Sequence, residues 1–409
     1  MTMAACRTIS MFYKSRFALA GFIGFAVVMI CCISAVYGRE LSLLSPKQYP
    51  VFSDDLGYQS FGRAIDQSIA YYEKLPGLRK IAYGPDTYLV RDLISGLGGF
   101  KKFIEKKPSS DEMGAFLGEN ARVYAYMQQG KPVSVLFTGY YEPVLEGSSK
   151  RTDLFKYPVY ARPRDLLKVD LSAFDAGCAR RFIIGRQKDD RLVPYYDRQT
   201  IETTEAMAEN AEVLAWVADP VKLFFLHVQG SGRIALQDGS LIYAQFDITN
   251  GHPYRSIGKF LIDQGLIERQ DMSMQAIVRY LEKHPGRVRE TFFYNPRYVF
   301  FRQGKQGPSG SLGVGLTPGR SAALDPKTSP AGALLFVSAQ KPVCEKPGII
   351  DRWVPFTRFM CCQDTGSAIS GEKRADLFWG SGIFAETAAG HMQHNGKLYY
   401  IVVLPEAFD

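Results

Sequence analysis

Two carboxylates near the carboxy terminus stand where a side chain could be given chemistry. Asp364 opens Asp364-Thr365-Gly366 at the end of a strand-like run, Arg358 to Gln363. Asp376 follows in Arg374-Ala375-Asp376-Leu377-Phe378-Trp379-Gly380. A carboxyl group set among Phe378, Trp379 and a glycine-rich wall loses hydration, which raises its pKa and lets it serve as an acid near neutral pH. The plainer alternative is that Asp364 caps a turn and Asp376 ends a strand in solvent, and residue types alone favour it.

Other chemistries have weaker signals. Asp364-Thr-Gly-Ser-Ala368 spells the signature of retropepsin-like aspartic proteases, but those need two facing aspartates and this chain has one such segment. His391 and His394 are spaced H-x-x-H without a neighbouring Glu, so no metal is expected. Gly313-Val314-Gly315 runs into Pro318 rather than into a helix, and no G-K-[ST] follows a glycine loop, so no nucleotide cofactor is expected. Ser231, between Gly230 and Gly232, lacks the G-x-S-x-G elbow. The net charge of +8 over 409 residues is dispersed, a poor match to nucleic acid and a fair one to an anionic polymer or membrane. The 46% hydrophobic and 22% charged content is that of a globular chain, which excludes disordered and fibrous classes, and the length suggests about two domains.

The elements that must hold these residues read as follows. Residues 57–75 and 111–129 have helical patterning, and 133–137 is a strand leading into Thr138-Gly139-Tyr140-Tyr141-Glu142-Pro143. Residues 200–217 read as a helix stopped by Asp219-Pro220, and Lys222–Gln229 as a strand broken at Gly230-Ser231-Gly232. Asp238-Gly239 signals a hairpin. Helices are expected over 253–264 and 273–283, then strands and turns from Thr291 onward, with 304–330 a structured loop before a strand at 333–337. Helices and strands do not alternate, which favours β-rich cores with peripheral helices over a parallel doubly wound sheet.

Lys14 and Arg16 precede an uncharged run from Phe17 to Tyr37, the order of a secretory signal, with residues 1–38 either cleaved or kept as an anchor. Ile30 is too bulky for the residue preceding a lipidated cysteine at 31 or 32. Beyond this segment remain Cys178, Cys344, Cys361 and Cys362, whose pairing stays open; a bridge from Cys344 to one of the adjacent pair is one expectation.

Read together, five ordered segments resemble the membrane-bound lytic murein transglycosylase A family. They are Phe137–Pro143; Asp219-Pro220 with Phe225–Gly232; Asn250–Tyr254 with Ser256–Gly258; Asn295-Pro296 with Phe300-Phe301; and the stretch from Asp364 to Gly382. The tail resembles the three-aspartate domain, with its positions at Asp325, Asp364 and Asp376. The resemblance implies a mainly β fold: a double-psi β-barrel domain built from both chain ends (39–143 and 295–409), an inserted second β-barrel domain (144–294), peripheral helices and a groove between the two. It implies cleavage of the β-1,4 bond between N-acetylmuramic acid and N-acetylglucosamine in peptidoglycan, leaving a 1,6-anhydromuramoyl end, with no cofactor. Asp376 would be the acid and then the base, and Asp364 its support. Thr138, Gly139, Tyr140, Gln229, Gly230 and Ser231 would line the groove. The expected partners are glycan strands and proteins of cell-wall synthesis or division, not nucleic acid, with a monomer in the periplasm. A non-catalytic glycan-binding scaffold is the competing reading, against which both aspartates argue. The spacing from Asp364 to Asp376 is one residue longer than the commoner pattern, and Ser329-Pro-Ala-Gly332 replaces apolar-Pro-Leu-Gly.

Overall fold

The computed structural model describes residues 41–178, 181–305, 307–366 and 368–408. Six strands close a barrel. Val135–Glu142 runs parallel to Arg374–Ser381, which pairs with Ser321–Ala323. The ring continues through Arg352–Asp364, Leu334–Val343 and His394–Val403, and the last strand returns to Val135–Glu142. Ala121–Gln128 and Leu41–Leu43 extend the sheet outward from His394–Val403. Early and late parts of the chain therefore share one sheet.

That sheet closes over a core rich in phenylalanine. Phe52, Phe61, Phe100, Phe336 and Phe359 are all buried, and Phe61 stacks on Phe359 at 5.6 Å. Each such ring contributes about 2–3 kcal/mol by leaving water. The helix Phe61–Tyr72 buries Phe61, Ala64, Ile65, Ser68 and Tyr72, one face at helical spacing. Arg320 sits inside this core, its side chain 0% exposed, against the equally buried Asp54. It also bonds the carbonyls of Gln59 and Phe359. Asp55 pairs with Arg358 and Lys341 in the same way, so two adjacent acids fasten the amino-terminal segment to the late strands.

A second, six-stranded sheet runs in the order Val299–Gly304, Leu241–Thr249, Ser231–Leu236, Val144–Ser148, Val213–Val217, Tyr157–Tyr160. A bridge between Ala161 and Phe301 joins its two edges, so it also curls towards closure. The chain passes from one sheet to the other at Pro143, between Glu142 and Val144. The Asp238-Gly239 turn connects two strands as expected, with Gly239 at φ 84°. Helices Ile257–Asp263 and Met274–Lys283 also form where expected, the latter capped by Ser273.

Several local expectations are corrected. The helix expected over 111–129 ends at Asn120, and Ala121–Gln128 is a strand. Its Val, Tyr and Ala side chains are buried on both faces, which hides the alternation of a half-exposed strand. Residues 200–217 hold the short helix Arg198–Thr203 and the 3-10 turn Glu205–Met207 before the strand Val213–Val217. Asp219-Pro220 opens a helix instead of ending one. Asp219 accepts from the N–H groups of Val221 and Lys222, Pro220 takes the first turn, and Pro220–Gln229 is helical up to the left-handed Gly230. That segment is apolar nearly all round because two cores enclose it, so its periodicity was masked. Past Thr291 the chain is not all strand and turn, since Ile383–His391 is a helix. His391 therefore closes a helix, while His394 opens a strand and packs its ring, tilted, against Trp353 at 4.1 Å.

All four described cysteines are free. Cys361 lies opposite Leu334, whereas Val343, next to Cys344, lies opposite Arg352. That separation is nine residues along a strand, roughly 30 Å, far beyond the reach of a disulfide. The expected signal or anchor, residues 1–38, lies outside the described residues. Among the described residues no helix is long and apolar enough to cross a membrane.

Candidate active site

Strand register assembles the carboxylates. In the parallel pair, Asp376 lies beside Thr138; across the next strand Ala323 lies beside Asp376; and Ala323 also lies beside Asp364. Thr138, Asp376, Ala323 and Asp364 thus form one row across four neighbouring strands. The row opens into a groove of about 890 Å³, whose other wall comes from the second sheet and its connecting loops. All eight residues singled out in the sequence (Thr138, Gly139, Tyr140, Gln229, Gly230, Ser231, Asp364 and Asp376) line this groove.

Asp376 is partly exposed at the groove floor but enclosed by protein on its other sides. Burial raises its pKa to about 6; the Thr138 hydrogen bond and the Arg374 charge pull the other way, and the nearby Asp364 charge adds to the rise. The Thr138 hydroxyl donates to Asp376 Oδ1 at 2.6 Å. Arg374 Nη2 in turn donates to Thr138 Oγ1 at a long 3.4 Å. The result is a carboxyl that exchanges its proton near neutral pH and is held in a fixed orientation.

Asp364 is held differently. Its Oδ1 accepts from the backbone N–H groups of Ser311 and Thr365, both at 2.8 Å. Burial nevertheless pushes its pKa up, with those donors opposing. Tyr140 packs its ring on Phe378 at 5.1 Å, and its buried hydroxyl makes no well-formed hydrogen bond among the described residues. Burial, followed by the charges of Asp364 and Asp376, raises its pKa well above that of free tyrosine, so it stays a neutral donor. Asp325, the third aspartate of the sequence pattern, is engaged in local structure. It receives the N–H groups of Lys327 and Gly371 at 2.9 and 2.7 Å.

The remaining residues fix the walls. Gln229 Oε1 accepts from the backbone N–H of Tyr141 at 3.1 Å, tying the helix end of one sheet to the strand of the other. The buried Glu142 forms an ion pair with the half-buried Arg233 at the same crossing. A Cβ on Gly139 would lie 2.7 Å from the Trp379 indole and 2.9 Å from Ala389 Cα, so only glycine lets that strand and helix approach. Gly230 is the left-handed helix cap that turns the chain into Ser231. Arg374 escaped sequence reasoning although it stands two residues before Asp376 on the same strand. Ser311 escaped it because its contribution is a backbone N–H inside a loop, which no side-chain pattern reveals. His227 and Arg297 also line the groove, the first within a motif and the second after one, and neither type nor spacing marked them.

Known proteins resemble this chain over most of its length. The family model described as the MltA specific insert domain matches residues 136–302, and that of the 3D domain matches 320–402. Membrane-bound lytic murein transglycosylase A of Escherichia coli K12 is 32% identical over 277 residues, covering 67% of each chain. That of Vibrio cholerae is 34% identical over 274 residues, 66% of each. Among solved structures, a membrane-bound lytic murein transglycosylase from Agrobacterium tumefaciens superposes with a TM-score of 0.71 at 27% identity, covering 89% of this chain and 98% of that one. E. coli MltA with bound chitohexaose gives 0.69 at 25% identity, covering 90% and 95%.

Proposed function

The chain belongs to the membrane-bound lytic murein transglycosylase A family, and from that premise we propose that its groove holds a peptidoglycan strand and that Asp376 alone carries the proton transfers. Peptidoglycan lytic transglycosylase is the activity of the relatives; the residue roles and the product are our reading for this chain. The observation that carries it is a single carboxyl, poised at about 6 at the groove floor and oriented by Thr138.

The steps follow from that one group. Protonated Asp376 donates to the glycosidic oxygen as the bond from C1 of N-acetylmuramic acid breaks and N-acetylglucosamine leaves. The carboxylate so formed takes the proton of the muramoyl C6 hydroxyl as its oxygen bonds C1. This closes a 1,6-anhydro ring and returns Asp376 to its starting state. No water is consumed. A hydrolase needs a second carboxylate to activate water; here the nucleophile is in the same ring, at the high effective concentration of an intramolecular group. Asp364, anchored by two backbone donors, raises the pKa of Asp376 through its charge and so favours the acid form. Tyr140 offers a neutral hydroxyl beside both. Thr138 and Gln229 fix the walls against which the sugars lie, and Gly139, Gly230 and Ser231 keep them open to the ligand. We place the enzyme in the periplasm, acting as a monomer beside the cell-wall synthesis or division machinery.

Digesting purified sacculi and weighing the products tests this reading. Anhydromuropeptides are expected, each one water lighter than the product of a hydrolase. Asp376→Ala should release none while still binding glycan; full release by that variant would contradict the assignment.

A further inference from the structure

Behind the second-sheet wall of the groove lies a fully buried arginine, Arg198. It pairs with Glu202 at 2.7 Å and lies against the rings of Phe224 and Tyr298. Its Nη1 meets His227 Nδ1 at 3.1 Å, and its Nη2 donates to the Arg297 carbonyl at 2.8 Å. One guanidinium therefore holds the His227 ring and the backbone of Arg297, and both residues line the groove.

The contact also sets the histidine's tautomer. Arginine has donors only, so Nδ1 accepts and the ring proton sits on Nε2. Burial, with the Arg198 charge, holds the ring neutral by pulling its pKa well below the ordinary value. The Nε2–H is buried and has no acceptor among the described residues. Arg297 is partly buried, and no described carboxylate or carbonyl bonds its guanidinium. Its backbone N–H is taken by Asn295 Oδ1. Burial lowers its pKa below the usual arginine value, opposed by Tyr254, which is the cost of a cation kept in the wall without a counter-ion. Among the described residues, none of the groove's acids pairs with it; their bonds lie elsewhere. Asp325 and Asp364 hold backbone donors, and Asp376 holds Thr138. Unsatisfied buried donors are rare unless a ligand completes them.

We infer that Arg297 and His227 form a recess that reads a carboxylate carried on the muramoyl side of the glycan, an inference that rests on the glycan occupying this groove. Two parts of the polymer offer that chemistry: the lactyl carboxylate of a peptide-free muramoyl residue, and the carboxylates of a stem peptide, whose attachment converts the lactyl group to an amide. A guanidinium with a neighbouring N–H donor suits either, and a charge-assisted bond in a partly buried wall is stronger than one in open solvent. Chitooligosaccharides carry no such group and would leave the recess unfilled.

The test is calorimetric, on the full chain with Asp376→Asn to prevent turnover. The probes are chitohexaose, a peptide-free muramoyl-glucosaminyl tetrasaccharide and the same tetrasaccharide bearing stem peptides. Adding Arg297→Gln should lower affinity for at least one muramoyl probe, relative to chitohexaose, about tenfold, and the probe that falls identifies the source. Arg297→Lys should keep most of that preference. Because the guanidinium bonds no described residue, its loss strands no partner among them, and both variants should keep the parent's melting temperature. An unchanged ratio in both muramoyl arms overturns the recess while leaving the glycan groove standing, as does an equal fall on all three probes. Binding of none of the probes by the Asp376→Asn protein would instead sink the groove reading and the recess with it.

Discussion

At the scale of single residues, the proposed reaction turns on one proton. A carboxyl with a pKa of about 6 is half protonated there, so kcat/KM should fall as pH rises through that value. Thr138→Val removes a donor that favours the ionised form. The alkaline limb of the profile should therefore move to higher pH, with a rate loss of roughly tenfold to a hundredfold as the carboxyl loses its orientation. A pH–rate profile of both proteins checks this; a limb that stays in place removes Thr138 from the circuit. The same raised pKa has a cost in stability. Below about pH 4 both folded and unfolded chains hold the Asp376 proton; between there and about 6 only the folded chain keeps it, so stability drops across that window. Above it the folded protein carries an ionised, poorly solvated carboxylate. Asp376→Asn relieves that penalty, so thermal unfolding at pH 8 should occur a few degrees higher than in the parent, with no gain at pH 4.

At the scale of elements, register does what a loop could not. The row of Thr138, Asp376, Ala323 and Asp364 exists because four strands from two distant parts of the chain pair in one order. Two contacts maintain that order. Gly139→Ala would push the Val135–Glu142 strand off Trp379 and the Ile383–His391 helix, at about 1–3 kcal/mol, measurable by denaturant unfolding. Asp54→Ala would strand the Arg320 guanidinium in the core, and removing one member of a buried pair costs about 3–5 kcal/mol. A milder loss would mean that Arg320 is held by the Gln59 and Phe359 carbonyls instead. The elements also explain which parts of the fold were legible. The Asp238-Gly239 hairpin and the Ser273-capped helix announce themselves through local turn and cap chemistry. Pro220–Gln229 misleads because burial between two cores removes the polar face from which helical period is read; the Asp219 cap and the Gly230 terminator were the signals that outweigh it.

At the scale of the molecule, the two sheets face each other across a groove, and the crossing at Pro143 is fastened by Gln229 on Tyr141 and by Glu142 on Arg233. Asp364 and Asp376 were visible as residues, yet no spacing rule could show that Thr138, more than two hundred residues upstream, hydrogen-bonds one of them. The resemblance of ordered motifs implied only that Thr138 lines the groove, and the bond appears in the structure alone; Arg374, His227 and Arg297 stayed hidden because their roles come from what surrounds them. The most direct measurement of the central claim is mass spectrometry of sacculi digested by the wild-type chain and by Asp376→Asn. The account predicts anhydromuropeptides from the first and a rate at least a hundredfold lower from the second. Products one water heavier, or undiminished anhydro products from the variant, would contradict it.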